Sequence, residues 1–410
     1  MVGQQLRIAM IGHRFMGKMH SHAYRMADQM MGASLKPKLA VICGRDLKAT
    51  EWAKEAWGWE EASVDWKTVV EREDIDAVDI AVPSDVHYDI AATAIQAGKH
   101  VLCEKPLTND LASAYELWQA ACDAHIVHQV GFNYRRVPAV ALIKRVIDEG
   151  KIGRIFHVRA QYLQDWAVSP EVPLSWRFRK EVAGSGALGD LLTHLIDLTR
   201  YLVGEFSQVS AMEQTFVADR PEVQEVIGTG IGTATSRSRR GPVTVDDATV
   251  VIAHMTNGAL ATFEATRFAS GRKNALRMEI HGDKGAVAFD LERLNELRVH
   301  FRRHLEPCDD GFQRILVTRP DHPFMEHWWP DGHILGYDST FAHEVYAWLS
   351  AIDTGCQADP GFGDGVRCQE VVEAIGTAIT TEKATLVQRR HPRTSEKSKT
   401  TSVRERPHQA

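Results

Sequence analysis

The sequence predicts an α/β protein with two folded parts: a parallel sheet with helices on both faces, then an α+β domain with an open, mainly antiparallel sheet. The chain has 410 residues, which is too many for one ordinary core. Up to about residue 128, short apolar runs alternate with helical stretches, a pattern typical of a doubly wound sheet. From about residue 131, apolar runs come in pairs joined by glycine turns, which is typical of antiparallel hairpins.

The elements of the first part follow from buried runs that stop at turn residues. The predicted strands are Leu6–Ile11, Leu39–Cys43, Ala77–Val82 and His100–Cys103. The predicted helices are Phe15–Met31, Leu47–Trp57, Val86–Ala97, which Gly98 caps, and Leu111–His125. We expect this domain to span residues 1–128.

The second part mixes helices with hairpins, and we expect it to span residues 129–390. The predicted helices are Ala139–Glu149 and Asp190–Val203. Ala248–Ala253 pairs with Ala259–Glu264 across Asn257-Gly258, and Met278–His281 pairs with Ala286–Phe289. One face of such a sheet must be covered by helices or by another subunit. This requirement, together with the family resemblance given below, leads us to expect a homo-oligomer, a dimer or tetramer.

Two segments have the composition of irregular chain. Gly228–Pro242 is rich in Gly, Ser, Thr and Arg without periodicity, so we expect a mobile loop. His391–Ala410 has five Lys or Arg, two Glu and almost no apolar residues, so we expect a disordered basic tail over residues 391–410.

Composition excludes several classes of protein. The net charge is −6 and no basic stripe crosses the folded part, which argues against a nucleic-acid partner. The six cysteines are scattered without a C-x-x-C pair, which suits a reducing cytoplasm. No charged and apolar leader precedes the first strand, and no apolar run approaches the length of about 20 residues that spans a bilayer. We expect a cytoplasmic protein that does not bind membranes.

A glycine turn follows the first predicted strand. Gly12 allows a tight turn, and Gly17 allows the helix to pack closely on the sheet. Arg14 replaces the usual middle glycine and must turn aside or contact a phosphate itself. With Phe15 and Met16 between them, these residues predict a dinucleotide site at the helix N-terminus, and therefore a Rossmann domain.

The end of the second strand bears on the choice of cofactor. Gly44 stands where NAD-binding proteins place an acidic residue for the ribose, and Arg45 is suited to pair with a 2′-phosphate. Asp46 follows directly and keeps NAD possible. The residues therefore predict NAD or NADP, with a lean to NADP or dual use.

Two separated segments carry groups suited to oxidising a hydroxyl. Lys105 lies in the segment Gly98–Pro106, directly after a predicted strand, and its ammonium can stabilise an alkoxide. Asp190 and His194 lie four residues apart on one predicted helix, after a glycine-rich run. His194 is suited to accept a proton near neutral pH, and Asp190 can orient the sugar or the imidazole. His125 and His128 lack a further ligand, so we predict no metal site.

These motifs, with Gly131–Arg135, resemble the Gfo/Idh/MocA family of NAD(P)-dependent sugar and inositol oxidoreductases over nearly the whole chain. Gln161–Trp166 and Leu174–Phe178 resemble its levoglucosan dehydrogenase and glucoside 3-dehydrogenase branch, which oxidises a C3 hydroxyl. The resemblance implies that Pro83, His87, Glu104 and Lys105 join the glycine turn in binding the cofactor, and that Lys105, Asp190 and His194 are catalytic. Candidate sugar contacts are Tyr134, Gln164, Trp166, Trp176 and Arg177.

The leading hypothesis is an NAD(P)-dependent dehydrogenase that oxidises a secondary hydroxyl of a pyranose, anhydrosugar or glycoside at C3. Three alternatives stay open at this point. The first is an inositol dehydrogenase or sugar reductase of the same family. The second is a redox-neutral glycosidase or lyase that keeps its cofactor bound, and the third is a cofactor-binding regulator without catalysis.

Overall fold

The computed structural model describes residues 5–223, 239–302 and 310–389. Its first sheet has six parallel strands in the order β3-β2-β1-β4-β5-β6. The elements are β1 (Gln5–Ile11), α1 (Phe15–Gln29), β2 (Lys36–Cys43), α2 (Leu47–Trp57), β3 (Glu61–Ser63), α3 (Trp66–Glu71), β4 (Ala77–Ile80), α4 (His87–Gln96), β5 (His100–Glu104), α5 (Leu111–Asp123) and β6 (His128–Gly131). The strand order reverses between β1 and β4, which opens a crevice at their carboxyl ends.

Local signals explain these elements. The residues of β4, in the middle of the sheet, are all buried, as expected of a central parallel strand, and those of the edge strand β6 are all buried too. Asp46 caps α2 by accepting a hydrogen bond from Ala49 N, and Asp110 caps α5 by accepting from Ser113 N. The short β3 and α3 escaped prediction, because three and six residues give too little periodicity.

The second sheet has nine strands in the order β16-β15-β14-β13-β7-β12-β11-β8-β17, antiparallel except for the β7–β12 pair. The elements are α6 (Pro138–Asp148), β7 (Ile155–Leu163), α7 (Lys180–Ala183), α8 (Thr193–Leu202), β8 (Phe206–Gln214), β9 (Asp219–Pro221), β10 (Arg240–Pro242), β11 (Ala248–Met255), β12 (Leu260–Thr266), β13 (Ala275–Gly282), β14 (Gly285–Asp290), β15 (Glu296–Phe301), β16 (Gln313–Leu316), α9 (Ser339–Thr354), α10 (Phe362–Thr381) and β17 (Thr385–Leu386). The predicted fold class and both predicted hairpins are confirmed.

One face of the nine-stranded sheet is covered by helices. Helices α6, α8 and α10 contact β14, β7 and β8. Side chains of β11 alternate between buried and exposed, so the other face stays open over the described residues. Its apolar members include Phe156, Met212, Val250, Ile252 and Leu260, all at least 41% exposed.

The C-terminal half returns to the first sheet through α9. Phe341, Val345 and Trp348 share one buried cluster with Leu6 and Tyr24 from the first part. A domain boundary at residue 128 therefore separates α9 from the first-domain residues with which it packs. The predicted domain limits stay predictions.

Two predicted segments differ in the structure. The helix predicted over Asp190–Val203 begins as a π-helical turn, Leu188–Leu192, before α8. Residues 228–238 of the predicted loop Gly228–Pro242 lie outside the described residues. Its last three residues, Arg240–Pro242, form the strand β10, because their backbone pairs with β9. The predicted tail His391–Ala410 also lies outside the described residues. Among the residues that are described, no helix is both long and apolar enough to cross a membrane.

Candidate active site

The turn between β1 and α1 has room for glycine alone at two positions. Gly12 has φ +124°, and a Cβ there would lie 2.2 Å from the Ala81 carbonyl oxygen. A Cβ at Gly17 would lie 2.1 Å from the Gly12 oxygen. The chain therefore passes close under the N-terminus of α1, where Arg14 is the N-cap residue and Phe15 is 43% exposed. This cradle fits the pyrophosphate of a dinucleotide.

The end of β2 lacks the acidic side chain that usually holds a ribose. A Cβ at Gly44 would lie 1.8 Å from His13 Nδ1, so the imidazole occupies the space of that side chain. Asp46 is engaged as the cap of α2, and Arg45 is exposed. At the end of β2, where a ribose usually binds, the polar side chains not engaged in capping are therefore the His13 imidazole and the Arg45 guanidinium.

The segments after β4 and β5 are tied together by His87. Its Nδ1 lies 2.9 Å from the Pro106 carbonyl oxygen and its Nε2 2.9 Å from that of Val82. Pro83 opens the short turn that leads into α4. His87 thus ties the segment after β4 to the segment after β5, with Lys105 next to one of its contacts.

Lys105 meets Asp190 across the crevice. Lys105 Nζ donates to the Asp190 carbonyl oxygen at 2.7 Å and lies 3.4 Å from Oδ1. Arg267 Nη2 donates to Asp190 Oδ2 at 3.0 Å. Burial acts to raise the pKa of Asp190, but the charges of Lys105 and Arg267 outweigh it and hold that pKa well below its usual range. Asp190 is therefore a carboxylate that orients the ammonium.

His194 lies one turn further along and packs among aromatic rings. Its ring centroid is 4.5 Å from that of Tyr134 and 5.9 Å from that of Tyr162. Its Nδ1 is buried without a hydrogen-bond partner among the described residues. Burial, and then the charge of Lys105, hold the pKa of His194 well below 6.5. The imidazole is therefore neutral at pH 7 and able to accept a proton.

These groups line one cavity of about 520 Å³. It brings together all three predicted catalytic residues and all five predicted sugar contacts, with five of the predicted cofactor residues: Phe15, Met16, His87, Glu104 and Lys105. Gly12, Arg14, Gly17, Gly44, Arg45 and Pro83 are not part of its lining; they belong to the adjoining turns.

Three of the five predicted sugar contacts form a hydrogen-bonded wall with Tyr162 and Asn274. Tyr134 and Tyr162 share a hydrogen bond of 2.7 Å between their hydroxyls. Tyr162 OH and Gln164 Nε2 both donate to Asn274 Oδ1, at 2.7 and 2.8 Å. Trp166 Nε1 donates to Gln164 Oε1 at 2.8 Å. The wall therefore holds its polar groups in fixed directions.

The cavity also has an aromatic and cationic side. The guanidinium of Arg177 lies 4.5 Å from the centre of the Trp176 ring, and that of Arg267 lies 5.3 Å from the Trp166 ring. Flat indole faces beside directed donors are suited to a ring that carries hydroxyls.

Sequence reasoning missed several residues of the site. Arg267, Asn274 and Tyr337 line the cavity but belong to no local motif. Asp246 accepts hydrogen bonds from Gly186 N at 2.6 Å and Leu188 N at 2.8 Å, and so anchors the loop before Asp190. The sequence contains one indirect signal for Arg267: it directly follows β12, the second strand of the predicted hairpin at Asn257-Gly258. The described residues contain no group of three or more His, Cys, Asp or Glu placed to hold a metal.

Comparisons with known proteins agree with this geometry. Residues 6–132 match the family described as "Oxidoreductase family, NAD-binding Rossmann fold", and residues 140–288 match the "GFO/IDH/MocA C-terminal domain". Levoglucosan dehydrogenase of Pseudarthrobacter phenanthrenivorans is 42% identical, over 91% of this chain and 95% of that protein. Inositol 2-dehydrogenase of Rhizobium meliloti is 25% identical, over 92% of this chain and 98% of that protein.

Solved structures are similar over nearly the whole chain. A levoglucosan dehydrogenase in complex with NADH and levoglucosan has a TM-score of 0.88 and 40% identity, over 94% of this chain and 100% of that one. An oxidoreductase domain protein from Kribbella flavida has a TM-score of 0.88 and 46% identity, with the same coverage.

Proposed function

The chain belongs to the Gfo/Idh/MocA family of NAD-dependent sugar and polyol oxidoreductases, and from that premise we propose that it oxidises a secondary hydroxyl of a pyranose, anhydrosugar or glycoside at C3. One observation carries the proposal: Lys105, Asp190 and His194 converge in a cavity that adjoins the glycine turn. A cation, a carboxylate and a neutral imidazole around one space are what hydroxyl oxidation requires.

Each residue has a distinct task in the proposed mechanism. The neutral His194 accepts the proton of the reacting hydroxyl. The Lys105 ammonium donates a hydrogen bond to the same oxygen and stabilises its negative charge, while Asp190 fixes the ammonium. The bound nicotinamide supplies the acceptor for the hydride of the carbon. Loss of proton and hydride leaves a carbonyl on the sugar.

For the substrate we propose a neutral ring held by the wall of the cavity. Trp166 and Trp176 offer faces for stacking, and Tyr134, Gln164 and Arg177 offer hydrogen bonds to hydroxyls. Levoglucosan, which a structurally similar protein binds, is a compact anhydrosugar of this kind. A cavity of about 520 Å³ has space for a monosaccharide beside a nicotinamide.

For the cofactor we propose that NADP is accepted alongside NAD. Gly44 offers no acid to repel a 2′-phosphate, Asp46 is engaged as a helix cap, and Arg45 is exposed beside them. A guanidinium pairs well with phosphate.

We also propose that the open face of the nine-stranded sheet joins copies of this chain in a cytoplasmic homo-oligomer. Val250 and Ile252 on β11 are 51% and 53% exposed, and Met212 on the neighbouring β8 is 80% exposed. Sedimentation should give a mass above the 45.8 kDa of one chain. Ile252→Lys should lower this mass, and Met30→Lys, at a residue 40% exposed directly after α1, should not. A monomeric parent protein would refute this.

The activity is tested by following reduced nicotinamide absorbance with NAD or NADP and a panel of levoglucosan, methyl glucoside, glucose, xylose, myo-inositol and glucose 6-phosphate. A signal with a neutral pyranose that disappears in His194→Ala supports the proposal. A preference for myo-inositol would indicate the inositol dehydrogenase alternative. Sugar turnover without net reduced cofactor would indicate the redox-neutral alternative. Cofactor binding without any turnover would contradict the enzyme proposed.

A further inference from the structure

A buried histidine bridges two carboxylates behind the wall of the cavity. His20 lies on α1 and Asp79 in β4, and both are 0% exposed. His20 Nδ1 lies 3.0 and 2.9 Å from the two Asp79 oxygens, and its Nε2 lies 3.1 Å from Glu104 Oε1. Glu104 ends β5 and lines the cavity, so this cluster connects the core to the site.

The geometry fixes the charge of the imidazole. Both ring nitrogens face carboxylate oxygens, and only the imidazolium has two N–H groups to donate. Burial acts to lower the pKa of His20, but Asp79 and Glu104 outweigh it and raise that pKa well above 6.5. Tyr24 OH donates to Asp79 Oδ2 at 2.8 Å and completes the deep end of the cluster.

A third carboxyl group faces the cluster from α9. Glu344 is 0% exposed, and both its oxygens lack a hydrogen-bond partner within the described part of the chain. Burial, and then the charge of Glu104, raise the pKa of Glu344 well above its usual range. The surroundings of Glu344 therefore favour its protonated form, while Asp79 and Glu104 hold the His20 ring.

Glu104 is held from two sides. Its Oε1 accepts from His20, and its Oε2 accepts from Lys105 N at 3.1 Å. A carboxylate that accepts two such bonds keeps its direction. It lines the cavity next to the lysine that meets Asp190, and so lies on the wall where the proposed function places hydride transfer.

We propose that His20 is a positioning residue that fixes the ionised Glu104 carboxylate at the nicotinamide side of the cavity, so that the site binds the oxidised, positively charged ring in preference to the reduced, neutral one. This inference rests on the proposed function, because it requires the nicotinamide to bind beside Lys105. A preorganised charge in a partly buried wall acts on a charged ring far more strongly than it would in water.

The test compares binding of the oxidised and reduced cofactor by fluorescence titration in the parent protein, His20→Gln, Glu104→Gln and the double variant. Each single change should lower the preference for the oxidised form about five- to tenfold. The double variant should lower it no further, because His20 acts through Glu104. An unchanged preference in His20→Gln, or effects that multiply in the double variant, would overturn the inference.

Tyr24→Phe is the matched control. It removes a hydrogen bond to Asp79 in the same cluster but leaves both contacts of His20. We expect lower resistance to urea with no change in cofactor preference. If Tyr24→Phe changed the cofactor preference as much as His20→Gln does, any disturbance of the cluster would alter that preference, and the specific role of His20 would be refuted.

Nitrogen NMR of the unaltered protein covers the case in which His20→Gln does not fold. Of 19 histidines, one should keep protons on both ring nitrogens at a pH where an ordinary imidazole is neutral. Neutral rings throughout would overturn the inference. Failure of the parent to bind either cofactor would instead contradict the proposed function, while the NMR result would still stand.

Discussion

Asp246→Asn should loosen the loop that leads to Asp190 and His194. One oxygen of the Asp246 carboxylate accepts from Gly186 N at 2.6 Å, and the other accepts from Leu188 N and Thr249 Oγ1, each at 2.8 Å. Asparagine has one acceptor oxygen, so its NH₂ group must face one of these donors. The least costly orientation gives up the bond to Gly186 and keeps the other two.

The size of the effect follows from that count. A hydrogen bond to a charged group contributes about 1.5–3 kcal/mol, so we expect the free energy of unfolding to fall by about 2 kcal/mol. Asp190 N donates to the Gly186 carbonyl oxygen at 3.0 Å, so movement of Gly186 reaches the site directly. We expect kcat to fall by about tenfold or more, since small displacements at a reacting centre are costly.

Urea unfolding and steady-state rates measure both effects, and Asp247→Asn is the control. One Asp247 oxygen accepts from Phe216 N at 2.7 Å and Val217 N at 3.2 Å, while the other has no partner in the described chain. Asparagine can place its NH₂ group at that second oxygen and should cost about 1 kcal/mol or less. Equal shifts of the urea midpoint in the two variants would refute the anchoring role of Asp246.

Three further predictions concern the chemistry. Because the pKa of His194 lies well below 6.5, kcat/KM for the sugar should stay level from about pH 8 to about pH 6 and fall only below that; a pH profile centred at 6.5 or above would contradict a buried neutral base. Lys105→Ala should lower kcat by about 10²–10³-fold through loss of the donor to the alkoxide, and stopped-flow rates near those of the parent would exclude that role. Gly44→Asp alone should clash with the His13 ring and the Thr50 hydroxyl. Combined with His13→Gly and Thr50→Ala, it should shift kcat/KM toward NAD at the expense of NADP by about tenfold, and an unchanged ratio would mean that this position does not contact the ribose.

The parts of the site that could be predicted each had a local signal. Lys105 follows a strand end, where ligands of such sheets bind, and the glycine-rich run before Asp190 marks a close approach of backbones. Gly186 shows why: a Cβ there would lie 1.7 Å from the Asp246 carbonyl oxygen. The spacing of Asp190 and His194 predicted one face of a helix, and both line the cavity although the first turn is π-helical.

The parts that could not be predicted depend on register between distant strands. Arg267 reaches Asp190 because β12 lies parallel to β7, with Thr266 opposite Leu163. The residue spacing within β7 or within β12 does not show that the two strands pair. The sequence pattern did not predict β7 at all. The bridge from His20 to Asp79 and Glu104 likewise joins residues 59 and 84 positions apart. The roles assigned to all these residues stay proposals until the variants are measured.

The packing of α9 on α1 has a consequence for how the chain is made. Tyr24 contacts Trp348, with ring centroids 6.4 Å apart, and His20 contacts Phe341 at 5.7 Å. While the ribosome is still synthesising the intervening residues, this side of α1 has no partner. The nucleotide-binding half therefore emerges early with an uncovered apolar flank, which is a surface that chaperones recognise and that promotes aggregation. This flank is covered only after α9 has left the ribosomal exit tunnel.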